Sequence, residues 1–245
     1  YAIDLASTTQ AAIYVMDSFN PGFRNAHLLN VKEVVNRNNF NRLKAMVKSI
    51  DNRGLSIQMV GYEGDFLVGV NALDEKVGLD LIVCGPMPNS NNDAVFLGPT
   101  AGRLAKKTDI PVWIIPEGTH FQTPKKALFA FKQGKVKGER SLHPLKFLQT
   151  QFDTQLELLL VKTPGNNRKE LQIDHEIVEL SDQMTSSENA TIYQGVLEHF
   201  REVHPDILIV FARKRGFFEK LIESDVVFKR DFFTKTPLLV IKNRP

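Results

Sequence analysis

The chain alternates two hydrophobic rhythms. Short continuous apolar runs, rich in β-branched residues and bounded by turn residues, occur at Ala12–Met16, Leu55–Val60, Leu79–Cys84 and Val112–Ile115. Such runs predict strands buried on both faces, as in a parallel sheet. Between them lie stretches of helical period. Asn30–Asn52 carries Val31, Val34, Val35, Leu43, Met46, Val47 and Ile50 at three-and-four spacing, and Asp65–Val77 opens on a good N-cap residue. Tyr1–Ser7 and Thr100–Thr108 predict two shorter helices. Later strands are predicted at Ala127–Phe131, Leu156–Val161, Glu176–Leu180, Ile207–Phe211 and Leu238–Ile241, with helices at Leu145–Phe152, Asn189–His204 and Phe217–Phe233. Strand and helix alternating in this way predict a doubly wound α/β fold with ligands near the carboxyl ends of the strands.

The pattern occurs twice. Asp80-Leu-Ile-Val-Cys-Gly85 followed by Ile110-Pro-Val-Trp-Ile-Ile115 has the same grammar as Asp206-Ile-Leu-Ile-Val-Phe211 followed by Thr236-Pro-Leu-Leu-Val-Ile241. Asp80 to Pro111 spans 31 positions, as does Asp206 to Pro237, so the copies are offset by 126 at both anchors. A duplicated chain is expected, with tandem domains at 1–117 and 124–245 and a punctuated boundary near Glu117–Thr123. The second copy has a strand, Ala127–Phe131, ahead of its first helix, whereas the first opens inside a helix. The expectation is that the first copy's opening strand precedes Tyr1.

Composition narrows the function classes. Hydrophobic residues at 42% and charged residues at 24% exclude a disordered chain. The single cysteine, Cys84, excludes a disulfide framework and a cysteine-rich zinc site; it is expected to be a structural thiol at a strand end. Its apolar runs are far too short for a membrane span, and the expectation is a cytoplasmic protein. A net charge of +3, from 31 Lys and Arg against 28 Asp and Glu, demands no nucleic-acid partner. Six scattered histidines offer no metal-ligand spacing. Asp4 and Asp17 are not paired as acid and base, so no catalytic set is expected.

The stretch from Gly64-Asp65 to Asp80-Leu-Ile-Val-Cys-Gly85 resembles the signature passage of the universal stress protein family, in which Gly-Asp opens a helix that ends before an Asp-Leu-Ile-Val-x-Gly strand. Thr108-Asp-Ile-Pro-Val-Trp-Ile-Ile-Pro116 resembles that family's closing strand, and Tyr1–Ala6 the end of its first helix. The resemblance extends more weakly over 124–245. There Phe217-Phe-Glu-Lys-Leu221 and the closing Thr-Pro-Leu-Leu-Val-Ile look like the second half of a bacterial tandem member. It implies two Rossmann-like domains forming an internal pseudo-dimer through the edges Val112–Ile115 and Leu238–Ile241. It also implies a stress-response role, with an unidentified protein or a second copy as partner.

ATP-binding members carry Gly-x2-Gly-x9-Gly-(Ser/Thr), whose glycines let backbone amides approach phosphates. Here Gly85 and Gly98 fill the first and third positions, Pro88 falls on the second, and Pro99 followed by Thr100 stands at the fourth. Val15 is the candidate wall for an adenine ring. The resemblance therefore names Val15, Gly85, Gly98, Pro99 and Thr100 as the cofactor site, with ATP and its Mg as the cofactor. Prolines 86, 88 and 99 have no N–H to offer. Three readings stay open: a degenerate loop in a regulatory protein that binds partners, a working ATP site, and a nucleotide-handling enzyme on the same fold. In the second copy Phe211, Lys214, Ser224 and Asp225 occupy the positions of Gly85, Pro88, Gly98 and Pro99. Arg213-Lys214-Arg215 could hold an anion there by side chain or be a solvated turn.

Overall fold

A computed structural model describes residues 1–19, 31–86, 95–132, 134–164, 172–212, 227–229 and 233–243. Contacts divide the chain into two compact units, Tyr1–Leu79 and Asp80–Pro245.

In the first unit the order is α1 (Ala2–Thr9), β1 (Ile13–Phe19), α2 (Val31–Lys48), β2 (Ile57–Glu63) and α3 (Phe66–Val77). β1 and β2 run parallel in register from Ile13 opposite Ile57 to Phe19 opposite Glu63. The expected cap is present: the Asp65 carboxylate accepts from the amides of Leu67 and Val68 at 3.0 and 3.2 Å. α3 stops at Gly78, which takes a left-handed φ of 68° that a Cβ would oppose. Gly69 allows α3 its close approach, because a Cβ there would lie 2.4 Å from Met16 Cε and 2.6 Å from the Tyr62 ring. Every residue of β1 is only half-buried.

The second unit is built on a seven-stranded sheet. Its strands are β3 (Ile82–Cys84), β5 (Val112–Ile114), β6 (Lys126–Phe131), β7 (Gln155–Lys162), β8 (Gln183–Glu188), β9 (Ile207–Phe211) and β11 (Leu238–Ile241), in the order β3-β5-β11-β9-β6-β7-β8. All neighbours are parallel except β5 and β11, which run antiparallel with Trp113 opposite Leu239. A second antiparallel pair joins β4 (Val95–Leu97) to β10 (Val227–Phe228). The helices are α4 (Pro99–Lys107), α5 (His143–Phe152), α6 (His175–Glu179) and α7 (Ile192–Val203). The core runs through β5, β11 and β9, whose residues are all buried. Among the described residues no helix is long and apolar enough to cross a membrane.

The repeat survives as geometry. Ile82 pairs with Val112 and Leu208 with Leu238, and each pair of strands stays in that register. The amide of Ile82 donates to Pro111 at 2.9 Å and that of Leu208 to Pro237 at 2.9 Å. Both bonds are the same bond at an offset of 126. The apolar edges β5 and β11 cover each other, as an unpaired edge of that kind requires. That pairing also explains why compact units and sequence halves differ. β3 and β5 come from the half 1–117 yet belong to the sheet of Asp80–Pro245.

Four element predictions need correction. Glu176–Leu180 is helical, and the edge strand lies instead at Gln183–Glu188. Residues 95–97, where no strand is predicted, form β4. The helix expected at Phe217–Phe233 cannot span Val227–Phe228, which is strand β10, and residues 217–226 lie outside the described residues. Asn189–His204 is helical only from Ile192, because Thr191 caps it and accepts from the Gln194 amide at 3.2 Å.

Candidate functional site

The expected phosphate cradle lies where β3 ends and α4 begins. Gly85 follows β3 and is exposed, and a Cβ built on it meets nothing within 4 Å among the described residues. Among the described residues, no packing contact or backbone strain requires glycine at this position. Pro88 and Asn89–Asp93 fall outside the described residues. The chain returns through β4, where Val95, Phe96 and Leu97 are buried, with Leu97 opposite Val227. Phe96 packs edge-on against Phe233, their centroids 5.7 Å apart.

Gly98 is the N-cap of α4, in extended backbone at φ −72° and ψ 173°, and Pro99 is the first helical residue. A helix start offers four unpaired amides to an anion. Here the Gly98 amide donates to the Pro86 carbonyl at 2.9 Å, and Pro99 has none. The amides of Thr100 and Ala101 are the remaining donors of that first turn. Pro99 and Thr100 are both exposed. Gly85, Gly98, Pro99 and Thr100 thus lie on the second unit's β3–β4–α4 segment. Val15 is half-buried in β1 of the first unit, opposite Met59.

The second copy closes the equivalent position differently. Its strand order reverses between β6 and β9, the place where doubly wound folds bind ligands. There Phe211, at the position of Gly85, joins Phe129 and Phe131, with centroids 5.1 Å from Phe129 to each. Phe131 and Phe211 are each 3% exposed, so aromatic rings fill that strand end. Arg213-Lys214-Arg215, Ser224 and Asp225 lie outside the described residues.

Three features were not anticipated from the residues alone. Lys242, just past β11, is 4% exposed, and its Nζ donates to the Ala105 carbonyl near the end of α4. Burial lowers its pKa from 10.5 to about 8, and Asp109 offsets part of that shift. A lysine at the end of an apolar strand reads as surface, and only the antiparallel β5–β11 seam puts a carbonyl above it. At the amino ends of β6, β7 and β8 a cavity of about 510 Å³ is lined by Lys126, Glu157, Asp182, His199 and Glu202 among others. His199 lies there between Glu157, at 3.3 Å, and Glu202, at 4.0 Å, tying α7 to β7. Third, Asp206 Oδ2 accepts from the amides of Lys125 and Lys126 at 2.8 and 2.9 Å, fastening β9 to β6. Cys84 ends β3 half-buried, and burial pushes its thiol up to about 12, so thiolate chemistry is suppressed. Among the described residues no three His, Cys, Asp or Glu side chains gather as a metal site.

No protein-family model matches the sequence, and no curated protein matches it. Solved structures do match the fold. A universal stress protein from Archaeoglobus fulgidus DSM 4304 superposes with a TM-score of 0.68 at 15% identity, covering 98% of this chain and 89% of that one. A functionally unknown protein from Pseudomonas aeruginosa PAO1 gives a TM-score of 0.57 at 16% identity, covering 99% of this chain and 86% of that one. The fold is that of the universal stress proteins, in an arrangement extending over nearly the whole chain.

Proposed function

We propose that this chain is a tandem member of the universal stress protein family with a regulatory, non-catalytic role in the cytoplasm, and that its output is the binding of a protein partner. The observation that carries this reading is the state of the α4 start: the Gly98 amide is spent on the Pro86 carbonyl and Pro99 has none to give. A hydrogen bond to a charged group contributes about 1.5–3 kcal/mol. Two missing donors therefore weaken phosphate binding by at least about a hundredfold. The buried Phe129–Phe131–Phe211 cluster supports the same reading for the second copy.

A second reading, an ATP site, is favoured by the preserved spacing of Gly85 and Gly98 and by the amides of the exposed Thr100 and of Ala101, which have no acceptor among the described residues. A thermal-shift titration with Mg-ATP separates the two. The first predicts no shift up to millimolar nucleotide. A saturable shift abolished by Gly98→Trp would establish the second.

A further inference from the structure

The helix that opens on the first copy's cradle, α4, is held at both ends by the second copy. At its start, β4 leads straight into the Gly98 N-cap, and β4 is paired with β10, Leu97 opposite Val227 and Val95 opposite Phe228. These two strands form a sheet of their own, apart from the seven-stranded one. A two-stranded pair so short is marginal unless something packs on it. Phe233 does so. Its ring meets the buried Phe96 edge-on at 5.7 Å, and the Lys229 ammonium stands 5.6 Å from the centre of the same ring. The backbone of Phe233 is fixed in turn from α7: the Tyr193 hydroxyl donates to its carbonyl and accepts from its amide, each at 3.3 Å. Contacts run without a break from Tyr193 through Phe233 and Phe96 to the residue before Gly98.

At the other end, Lys242 Nζ donates to the Ala105 carbonyl, one of the last carbonyls of α4. Such carbonyls have no partner within the helix and carry the negative end of its dipole, so a buried ammonium satisfies one and opposes the other. Neither attachment is repeated 126 positions away. Lys242 corresponds to Pro116, and Val227 of β10 corresponds to Ala101, inside α4. Where the first copy forms this helix, the second forms the strand that holds it.

We propose that the second copy is an intramolecular inhibitor of the first, its Tyr193–Phe233–Phe96 clasp on β4 and its Lys242 contact holding α4 in the pose that keeps the Gly98 amide on the Pro86 carbonyl. Opening the clasp frees that amide and returns one donor to the cradle. Tyr193, Phe233 and Lys242 are positioning residues, acting through β4 and α4. This inference rests on the reading that the cradle of the intact chain grips phosphate weakly, and it names what keeps the grip weak.

The test uses the full chain and its Tyr193→Phe, Phe233→Ala and Lys242→Met variants. Amide hydrogen exchange over residues 95–107 reads the clasp, and titration with a fluorescent ATP analogue and magnesium reads the cradle. Exchange in that segment should be roughly three- to tenfold faster in each variant, with β9 unchanged. The analogue should bind each variant roughly tenfold tighter than wild type, the effect of one recovered charge-assisted donor. Adding Gly98→Pro, which suits the φ of −72° and has no amide, should abolish the gain. Trp113 emission verifies that each variant retains its sheet, and the conservative Tyr193→Phe remains informative if Phe233→Ala unfolds. Tight binding by wild type counts against the weak-cradle reading, whereas the clasp is judged by the gain over wild type. Unchanged exchange over 95–107, faster exchange without tighter binding, or a gain that survives Gly98→Pro would each overturn the clasp.

Discussion

Glycines at similar-looking positions do unlike things here. At Gly195, in the first turn of α7, a Cβ would sit 2.8 Å from Ser187 Oγ and 2.9 Å from Val161 Cγ1. Gly195→Ala is expected to cost about 1–3 kcal/mol, as other overpacking changes do, measured by urea unfolding. Gly85→Ala, which meets nothing among the described residues, should stay within about 0.5 kcal/mol of wild type. Lys242 carries a pH signature. The unfolded chain holds that proton up to about 10.5 while the folded chain releases it near 8. Protonation therefore favours unfolding, and stability contributed by this site rises with pH across that window by up to about 1.4 kcal/mol per unit. Lys242→Met should remove that rise, seen as a flatter pH dependence of the urea midpoint between pH 8 and 10.5. The Lys242 role was not legible in the sequence, since burial of that amine depends on a strand pairing made across the duplication.

Elements buried on both faces announced themselves. The cores of β6, β7, β9 and β11 are continuous apolar runs, and the observed strands begin and end within about two residues of the expectation. The failures share a physical cause. β8 reads Gln183-Met-Thr-Ser-Ser-Glu188, a polar strand, because it lies at the sheet edge and is largely exposed. Nearby Ile177 and Val178 imitate a strand but belong to a single helical turn, in which Ile177 alone is buried. β4 is three residues long and exists through pairing with β10, some 130 positions away. Local pattern carries no trace of that. At this scale the repeat makes a sharp prediction. Asp206→Ala removes the acceptor of two strand amides and should cost about 1 kcal/mol or more, while Asp80→Ala, at an exposed carboxylate with no partner among the described residues, should change stability negligibly in the same denaturation assay.

For the whole molecule, duplication was legible from the 126-residue offset, and the division into compact units was not. Sequence similarity follows ancestry, whereas compactness follows contacts, and the antiparallel β5–β11 seam gives strands of both copies one sheet. Trp113 is the only tryptophan and lies in that seam, 1% exposed. The first unit, with β1 half-buried throughout, should unfold before the second. Far-ultraviolet circular dichroism should then show a transition at lower denaturant that leaves Trp113 emission unchanged, and one coincident transition would contradict it. Of the candidate site, the spacing was legible and the outcome at Gly98 was not, because proline identity tells which amides are missing but not where the remaining ones are spent. The central claim is that this cradle keeps its distances and lacks its grip. Equilibrium titration of the protein with a fluorescent ATP analogue in the presence of magnesium tests it most directly. The account predicts no saturable signal up to millimolar analogue, and tight, stoichiometric binding that fails in Thr100→Pro would contradict it.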